Sequence, residues 1–253
     1  MKKTKNSRRN FVKNAAAGLG ILPLSALVNP QHAEQVPKKK IVCVGGHPDD
    51  PETGCGGTLA KLATAGHDVT VIYLTTGEAG IPGRSHDEAA RIRKEEGLKA
   101  CKVLKAKPIF AGQIDGDTLV NSSWIKKMHQ LIIDEKPDIA FTHWPVDYHP
   151  DHQAASLLTI QAWMKRDRDF WLYFYEVQSG LQTSIFHPTD YVDISETQEQ
   201  KWKAFDCHVS QDPKAILESG HRTMEMYRGL ELGVKAGEAF VRMTGRLQGG
   251  MIV

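Results

Sequence analysis

Cysteine is scarce in this sequence, and no apolar run is suited to a membrane span. The four cysteines among 253 residues have no spacing typical of a cysteine-ligated zinc site. Their spacing favours no particular disulfide, although an exported protein could hold one. The apolar stretch at residues 15–28 is interrupted by two glycines and a proline. It is therefore too short and too broken for a comfortable transmembrane helix.

Most of the chain also lacks a large net charge. The formal net charge of the whole chain is +2. Residues 1–35 carry six basic side chains and one acidic one, a net charge of +5, so the net charge of the remaining residues is −3. This distribution removes the electrostatic reason to expect a nucleic-acid partner. The glycines at positions 54, 56 and 57 fit neither the G-x-G-x-x-G pattern nor a P-loop, which argues against a dinucleotide site.

The amino terminus resembles a twin-arginine export signal. Residues 7–13 read Ser-Arg-Arg-Asn-Phe-Val-Lys, similar to the S-R-R-x-F-L-K pattern, and the interrupted apolar stretch follows them. We therefore predict that residues 1–35 are an export signal recognised by the twin-arginine machinery, either cleaved within residues 26–33 or kept as an anchor. The protein is then expected in the periplasm or cell envelope.

Beyond this leader, short β-branched runs alternate with helical patterns, which indicates one α/β domain over residues 36–253. A strand, a helix and a second strand in succession form a βαβ unit, so we expect a mostly parallel sheet flanked by helices. The second helix is predicted to turn Ile92, Leu98 and Leu104 towards the core. The predicted strands are residues 41–44, 68–75, 108–111, 138–143, 170–177, 191–194 and 239–243, and the predicted helices are residues 57–65, 85–105, 124–135, 153–165, 196–207 and 213–232.

A first polar constellation follows the first predicted strand. Residues 41–50 read IVCVGGHPDD, so an apolar run ends in two glycines and delivers His47, Asp49 and Asp50 within four residues. Ligands of open α/β sheets bind at the carboxyl ends of the strands. A histidine and two carboxylates at this point indicate a metal site, with one carboxylate left for chemistry.

A second constellation follows the fourth predicted strand, where residues 147–152 read Asp-Tyr-His-Pro-Asp-His. Both constellations follow strands, so their separation in sequence need not separate them in space. His47, Asp50 and a histidine of this second turn would bind a divalent metal and leave positions for water, as catalytic zinc sites do. Zinc is the favoured ion, and iron, cobalt and manganese are alternatives because such ligands discriminate weakly.

The other polar residues of the two turns could take part in catalysis or orient the metal ligands. Zinc would bring the pKa of a bound water towards about 7, and Asp49 could accept the proton of that water as general base. A protonated His149 would stabilise the oxyanion that forms when water attacks a carbonyl. The leaving amine could take its proton from either residue. Asp151 would either cap the following helix or orient a ligand histidine.

Together the two motifs resemble the hallmarks of the PIG-L/LmbE-like family of zinc-dependent N-acetylglucosaminyl deacetylases. They read His-Pro-Asp-Asp at 47–50 with Gly-Cys-Gly-Gly at 54–57, and His-Pro-Asp-His at 149–152; shorter similarities lie at 76–78, 91–96, 115–116 and 207–211. The resemblance implies a Rossmann-like fold. It also implies the following roles: zinc ligands His47, Asp50 and His152, general base Asp49, and oxyanion-stabilising His149.

One position departs from the family pattern. The glutamate that usually follows the paired aspartates is replaced by Pro51, and Glu52 comes one place later. His143, at the end of a predicted strand, is expected to be structural, and the aromatic run at 170–175 is expected to lie in the core. Lower-ranked candidates for substrate contacts are Glu52, Glu78, Arg84, Asp115 and His208.

These observations predict a hydrolase that removes an acetyl group from an N-acetylated amino sugar of the N-acetylglucosamine type, or from a small-molecule or glycan conjugate of it. The same site on another acyl amide would make the protein a different amidase, since fold and motif do not fix the substrate. A non-catalytic, metal-assisted carbohydrate-binding protein is the alternative from another class. No oligomeric state follows from the sequence.

Overall fold

The computed structural model describes residues 37–244. The predicted export signal, residues 1–35, lies outside these residues. Within them, no helix combines the length and the apolar character needed to cross a bilayer.

A seven-stranded sheet in the order β3-β2-β1-β4-β5-β7-β6 forms the centre of the described residues. Strands β1 to β5 pair in parallel, and β7 runs antiparallel to both β5 and β6. The order of the first five strands is that of Rossmann folds, so the predicted α/β, mostly parallel architecture is confirmed. The strands are β1 (Lys40–Gly45), β2 (Asp68–Tyr73), β3 (Lys107–Phe110), β4 (Ile139–His143), β5 (Trp171–Tyr175), β6 (Asp190–Asp193) and β7 (Gly237–Arg242).

Helices connect and cover the strands. A 3-10 turn at Val209–Gln211 and a π-helical turn at Leu217–His221 interrupt the carboxyl-terminal part. The α-helices are α1 (Asp50–Thr64), α2 (His86–Leu104), α3 (Ser122–Glu135), α4 (Pro150–Lys165), α5 (Gln198–Phe205), α6 (Pro213–Ile216) and α7 (Arg222–Leu232).

The core lies on both faces of the sheet. In β1, Ile41 and Cys43 join one buried cluster, whereas Val42 and Val44 join the other. Burial on both faces explains why the central strands are continuous apolar runs rather than alternating ones. Phe170, Tyr173, Phe174 and Tyr175 are buried and Trp171 is partly buried, which confirms that this run belongs to the core.

Helix α1 begins at Asp50, about two turns before the predicted start at residue 57, so that prediction was wrong. Glycine usually disfavours a helix interior, but here close packing requires it. A Cβ at Gly54 would lie 2.3 Å from the ring of Tyr175, and one at Gly57 would lie 2.8 Å from Ile194. Tertiary packing thus overrides the low helix propensity and makes Asp50 the first helical residue.

Two further predictions about helices were wrong in part. The predicted core face of α2 is only partly correct: Leu104 is buried and Ile92 is partly buried, but Leu98 is 45% exposed while Arg93 and Glu96 are buried. The single helix predicted at 213–232 is broken at Gly220, whose φ of 142° departs from helical geometry. Both differences place polar side chains near the site described below.

The pairing of β1 with β4 brings the two constellations together. The register places Ile41 beside Ile139 and Val44 beside Thr142, so the two parallel strands end at the same edge of the sheet. The segments that follow them, 46–50 and 144–152, therefore begin side by side.

Candidate metal centre and active site

The turn after β1 is shaped by hydrogen bonds to its own carboxylates. The backbone N–H of His47 donates to Oδ2 of Asp50 at 2.7 Å. The N–H of Asp49 donates to Oε2 of Glu52 at 3.2 Å. Asp49 has a φ of 120°, a conformation that costs free energy outside glycine and is common at functional sites. The turn thus presents neighbouring aspartates in different directions.

The turn after β4 is held in a similar way. His149 is the N-cap of α4, and its Nδ1 accepts the N–H of Asp151 at 3.2 Å. Oδ1 of Asp147 accepts the N–H of His149 at 2.9 Å. Pro150 occupies the first helical position, where its missing N–H costs nothing. His152 therefore projects from the first turn of the helix.

Asp50 lies between the two predicted histidine ligands. Its Oδ2 is 3.2 Å from Nδ1 of His47, and its Oδ1 is 3.1 Å from Nε2 of His152. All three side chains are at most 9% exposed. The two distant turns therefore bring these three side chains into direct contact.

The remaining nitrogens of both histidines face carboxylates. Nε2 of His47 lies 3.0 Å from Oδ2 of Asp151 and 3.1 Å from Oδ1 of Asp115. Nδ1 of His152 lies 3.1 Å from Oδ1 of Asp147. Carboxylates in this position fix the ring of a metal-binding histidine and raise its basicity. Because His149 caps α4, the geometry favours the orienting role for Asp151 over the capping role.

The electrostatics of the cluster favour a cation. Burial alone would lower the pKa of His152, but Asp50 and Asp147 outweigh it and raise that pKa to about 9. Burial also opposes the charged form of His47, yet Asp50, Asp115 and Asp151 raise its pKa well above the usual value. Excess negative charge around two imidazoles is stabilised by positive charge, which a divalent metal can supply.

Three overlapping sets of side chains within residues 37–244 bring ligand atoms within 4.8 Å of one another. The predicted trio of His47, Asp50 and His152 is not itself one of these sets, but His47 and His152 share one set, Asp50 and His152 share another, and Asp50 contacts His47 directly. The sets are His47, His149 and His152; Asp50, His143 and His152; and His47, Asp115 and Asp151.

His143 packs against the predicted metal ligands. Its ring stacks on His152 with centroids 4.0 Å apart. Its Nε2 accepts the backbone N–H of Gly46 at 3.0 Å and lies 3.3 Å from Oδ2 of Asp50. Burial and His152 lower its pKa to about 4, so the ring is neutral. This placement agrees with the structural role expected for His143.

Asp49 is paired with Arg93, a contact that the sequence did not predict. Nη2 of Arg93 lies 2.8 Å from Oδ2 of Asp49. The same guanidinium donates to the carbonyl oxygens of Pro48 at 2.6 Å and Gly77 at 3.0 Å. Burial raises the pKa of the Asp49 carboxyl above its usual range, although Arg93 opposes the rise. Arg93 therefore holds the Asp49 carboxylate in one orientation.

The lower-ranked candidates for substrate contacts are placed in different environments. Asp115 lines the cavity beside His47. Glu52 and His208 are wholly buried and 3.6 Å apart, so neither lines the cavity. Glu78 accepts the N–H of Asp115 at 3.0 Å, which supports that residue from behind. Arg84 is exposed and pairs with Glu88 at 2.7 Å, away from the cavity.

A cavity of about 370 Å³ opens over this cluster. Its floor contains the residues of the two turns together with Arg93 and Asp115. The rest of its wall comes from Thr53, from residues 79–80 in the loop after β2, and from the 177–182 and 205–221 segments. Of these, the sequence marked only the 207–211 stretch, through its family resemblance. Polar side chains dominate that wall: Gln178, Gln182, Gln211, Ser219 and His221.

Comparisons with known proteins identify the family of this chain. A family profile described as PIG-L: GlcNAc-PI de-N-acetylase matches residues 42–163. The diacetylchitobiose deacetylase of Thermococcus kodakarensis is 31% identical over 217 residues, covering 79% of this chain and 81% of that protein. A 1D-myo-inositol 2-acetamido-2-deoxy-alpha-D-glucopyranoside deacetylase of Corynebacterium glutamicum is 28% identical over 178 residues, covering 56% of this chain and 59% of that protein.

Among solved structures, the N,N'-diacetylchitobiose deacetylase from Pyrococcus horikoshii matches with a TM-score of 0.72 and 25% identity, covering 96% of this chain and 95% of that one. The sequence match to the Thermococcus protein spans most of both chains, and the family profile includes both motif segments. The chain therefore belongs to the PIG-L/LmbE-like family of N-acetylglucosamine deacetylases.

Proposed function

We propose that the protein is a metal-dependent hydrolase that removes the acetyl group from an N-acetylated amino sugar of the N-acetylglucosamine type or from its conjugate. The observation that carries this proposal is the convergence of His47 and His152 on the two oxygens of Asp50, with Asp49 held apart by Arg93. This arrangement supports Asp50 as the metal ligand and Asp49, which Arg93 orients, as the group for proton transfer.

Zinc fits the donor set of His47, Asp50 and His152, because two imidazoles and one carboxylate are typical ligands of catalytic zinc. Other divalent transition metals accept the same ligands. A bound ion of this kind polarises a carbonyl and lowers the pKa of water. Asp151 and Asp147 hold the two imidazoles through their remaining nitrogens, which keeps the ligating nitrogens pointed at one place.

Asp49 is the proposed general base. Its raised pKa, which burial causes, makes the carboxylate a better proton acceptor than an exposed aspartate. The hydrogen bond from Arg93 orients the carboxylate. Asp49 would take a proton from the water that attacks the acetyl carbon and deliver it to the departing amine nitrogen.

His149 is the proposed donor to the acetyl oxygen. Its Nδ1 accepts the N–H of Asp151, so a neutral ring carries its hydrogen on Nε2. Burial and the neighbouring His47 and His152 lower its pKa, which supports a neutral donor rather than the protonated ring expected from the sequence. A preoriented donor of this type stabilises the negative charge that develops on the oxygen.

The cavity supports a hydroxyl-rich substrate. Its volume of about 370 Å³ is in the range of small-molecule sites, and amide and hydroxyl side chains line its wall. The named relatives act on diacetylchitobiose and on an acetamido sugar linked to inositol. We therefore propose that this chain binds the N-acetylated sugar ring in the cavity and the remainder of the conjugate at its mouth.

The test is acetate release by the zinc-loaded protein from N-acetylglucosamine and N,N'-diacetylchitobiose. Replacement of Asp49→Asn should abolish release while bound zinc persists, and the exposed-site control Asp134→Asn should leave it unchanged. Full turnover by Asp49→Asn would refute the assigned base. Turnover of simple acyl amides but not of sugars would indicate the other amidase, and sugar binding without turnover would indicate a binding protein.

We also propose that the twin-arginine machinery exports the precursor, on the basis of residues 7–13 alone. Fractionation of a bacterial host that expresses the full chain tests this proposal. The wild-type protein should appear outside the cytoplasm, and a double variant with Arg8→Lys and Arg9→Lys should remain inside. Equal distribution of the two proteins would contradict export by this route.

A further inference from the structure

His221 lines the cavity but belongs to neither of the two motifs. The residue is 4% exposed, and neither ring nitrogen has a hydrogen-bond partner among residues 37–244. Its Nδ1 is fully buried in this unpaired state. A buried polar group without a partner costs free energy, so native proteins seldom retain one without a reason. The other ring nitrogen, Nε2, also lacks a partner but is not fully buried, so it is the nitrogen that a ligand in the cavity would reach.

The backbone that carries His221 is held in an unusual conformation. The residue ends the π-helical turn Leu217–His221, and Gly220 before it has a φ of 142°. A Cβ at Gly220 would lie 2.7 Å from Nε2 of Gln178, which donates to the carbonyl oxygen of Ser219 at 2.9 Å. Gly220 therefore forms a kink between two helical segments, and glycine is the residue that adopts this conformation at no steric cost. This turn fixes the imidazole at the cavity wall.

The protonation state of His221 limits what it can bind. Burial and the nearby Lys201 lower its pKa to about 4, although Glu225 and Asp50 oppose this change. The neutral imidazole has one donor and one acceptor, which complements a hydroxyl group rather than an anion. His221 also belongs to none of the possible metal-ligand sets among residues 37–244.

We infer that His221 is a specificity-determining residue that hydrogen-bonds one hydroxyl of the sugar ring in the catalytic cavity. This inference rests on the proposed function, because it takes an amino sugar as the ligand. A site built to hydrogen-bond a hydroxyl discriminates against analogues that lack it, since the protein group is then left unpaired. His221 would thus select the sugar, while the two motifs act on its acetamide.

Sugar binding to the zinc-loaded Asp49→Asn protein tests the inference without turnover. Calorimetric titrations would use N-acetylglucosamine and its 3-deoxy, 4-deoxy and 6-deoxy analogues. One of these analogues should bind about five- to tenfold more weakly than the parent sugar, the loss expected for one neutral hydrogen bond. His221→Phe should weaken binding of the parent sugar by the same factor, and should add no further loss for that analogue.

The inference would be overturned if each deoxy analogue lost the same affinity relative to the parent sugar in the protein with His221 as in His221→Phe. A protein that binds none of these sugars would also overturn it. Unchanged zinc content and thermal unfolding show that each variant is folded, and His221→Leu, which also lacks a donor and an acceptor, replaces His221→Phe if that protein does not fold. His187→Phe, at an exposed histidine, is the matched control and should bind like the parent protein.

The inference and the proposed function fail in different ways. If the wild-type protein releases no acetate but the binding losses coincide as described, the proposed deacetylation is wrong and the His221 contact stands. If acetate is released normally but removal of His221 does not change the loss of affinity for any deoxy analogue, the inference alone is wrong.

Discussion

Arg93 holds Asp49 through a contact of 2.8 Å between Nη2 and Oδ2. The guanidinium is itself fixed by the carbonyl oxygens of Pro48 and Gly77, and its side chain is only 4% exposed. Arginine presents several donors in a rigid plane, so one side chain ties together the metal-site turn and the loop after β2. The position of the proposed base therefore depends on a residue from a third segment.

Replacement of Arg93 should reduce turnover more than metal binding. We expect Arg93→Met to lower kcat by about 100-fold, the scale of loss when a reacting group is misplaced by about 1 Å. Arg93→Lys should give an intermediate loss, because lysine keeps the charge but not the planar donors. Steady-state kinetics with measured zinc content checks this. Unchanged kcat in folded, zinc-loaded Arg93→Met would show that Asp49 needs no such support.

The carboxylates behind the histidines should control metal affinity. We expect Asp151→Asn and Asp147→Asn each to weaken zinc binding by about 10- to 100-fold, the effect typical of such supporting groups. Each change removes the charge that faces the outer nitrogen of His47 or His152. Competition with a chelator measures the affinity, and exposed Asp134→Asn is the control. Affinities equal to that of the control would mean that these contacts do not support a metal.

Gly54 should be intolerant of any side chain. Gly54→Ala gains about 1 kcal/mol of helix propensity, but its Cβ would lie 2.3 Å from the Tyr175 ring, and such overpacking costs about 1–3 kcal/mol. We therefore expect net destabilisation in denaturant unfolding, together with weaker zinc binding because α1 begins at Asp50. Thr64→Ala, at an exposed position of the same helix, is the control. A Gly54→Ala protein as stable as the wild type would contradict the observed packing.

His221 should make the metal-free protein less stable in acid. Its folded pKa of about 4, set by burial and Lys201, is below the unfolded value of about 6.5. Between these values the unfolded chain binds a proton that the folded protein does not, so stability is lost as the pH falls. From pH 7 to pH 5 the free energy of unfolding of the wild type should fall by about 2 kcal/mol more than that of His221→Phe. Denaturant unfolding of chelator-treated samples at both pH values measures this difference. Equal losses in the two proteins would contradict the assignment.

Most of the fold was predictable because its signals are local. Apolar β-branched runs mark strands buried on both faces, and alternation with helices indicates a parallel sheet. The errors arose where packing between distant residues decided the structure. The glycines of α1 resembled a turn, and only the ring of Tyr175 and the side chain of Ile194 explain why they are helical.

The two turns of the site were predictable for the same reason, since each follows a strand in a short segment rich in histidine and aspartate. Arg93 was identifiable in principle, because it lies at a buried-face position of α2 together with Ala89 and Ala100. His221 had no such signal. Its place in the cavity depends on a π-helical turn and on Gln178, which is 43 residues away in the sequence.

The central claim is that His47, Asp50 and His152 hold one metal ion while Asp49 does not ligate it. Anomalous diffraction from zinc-loaded crystals tests it most directly. The account predicts one zinc peak about 2.0–2.2 Å from Nδ1 of His47, Nε2 of His152 and a carboxylate oxygen of Asp50. A peak bound instead between His47, Asp115 and Asp151, or one ligated by Asp49, would contradict it.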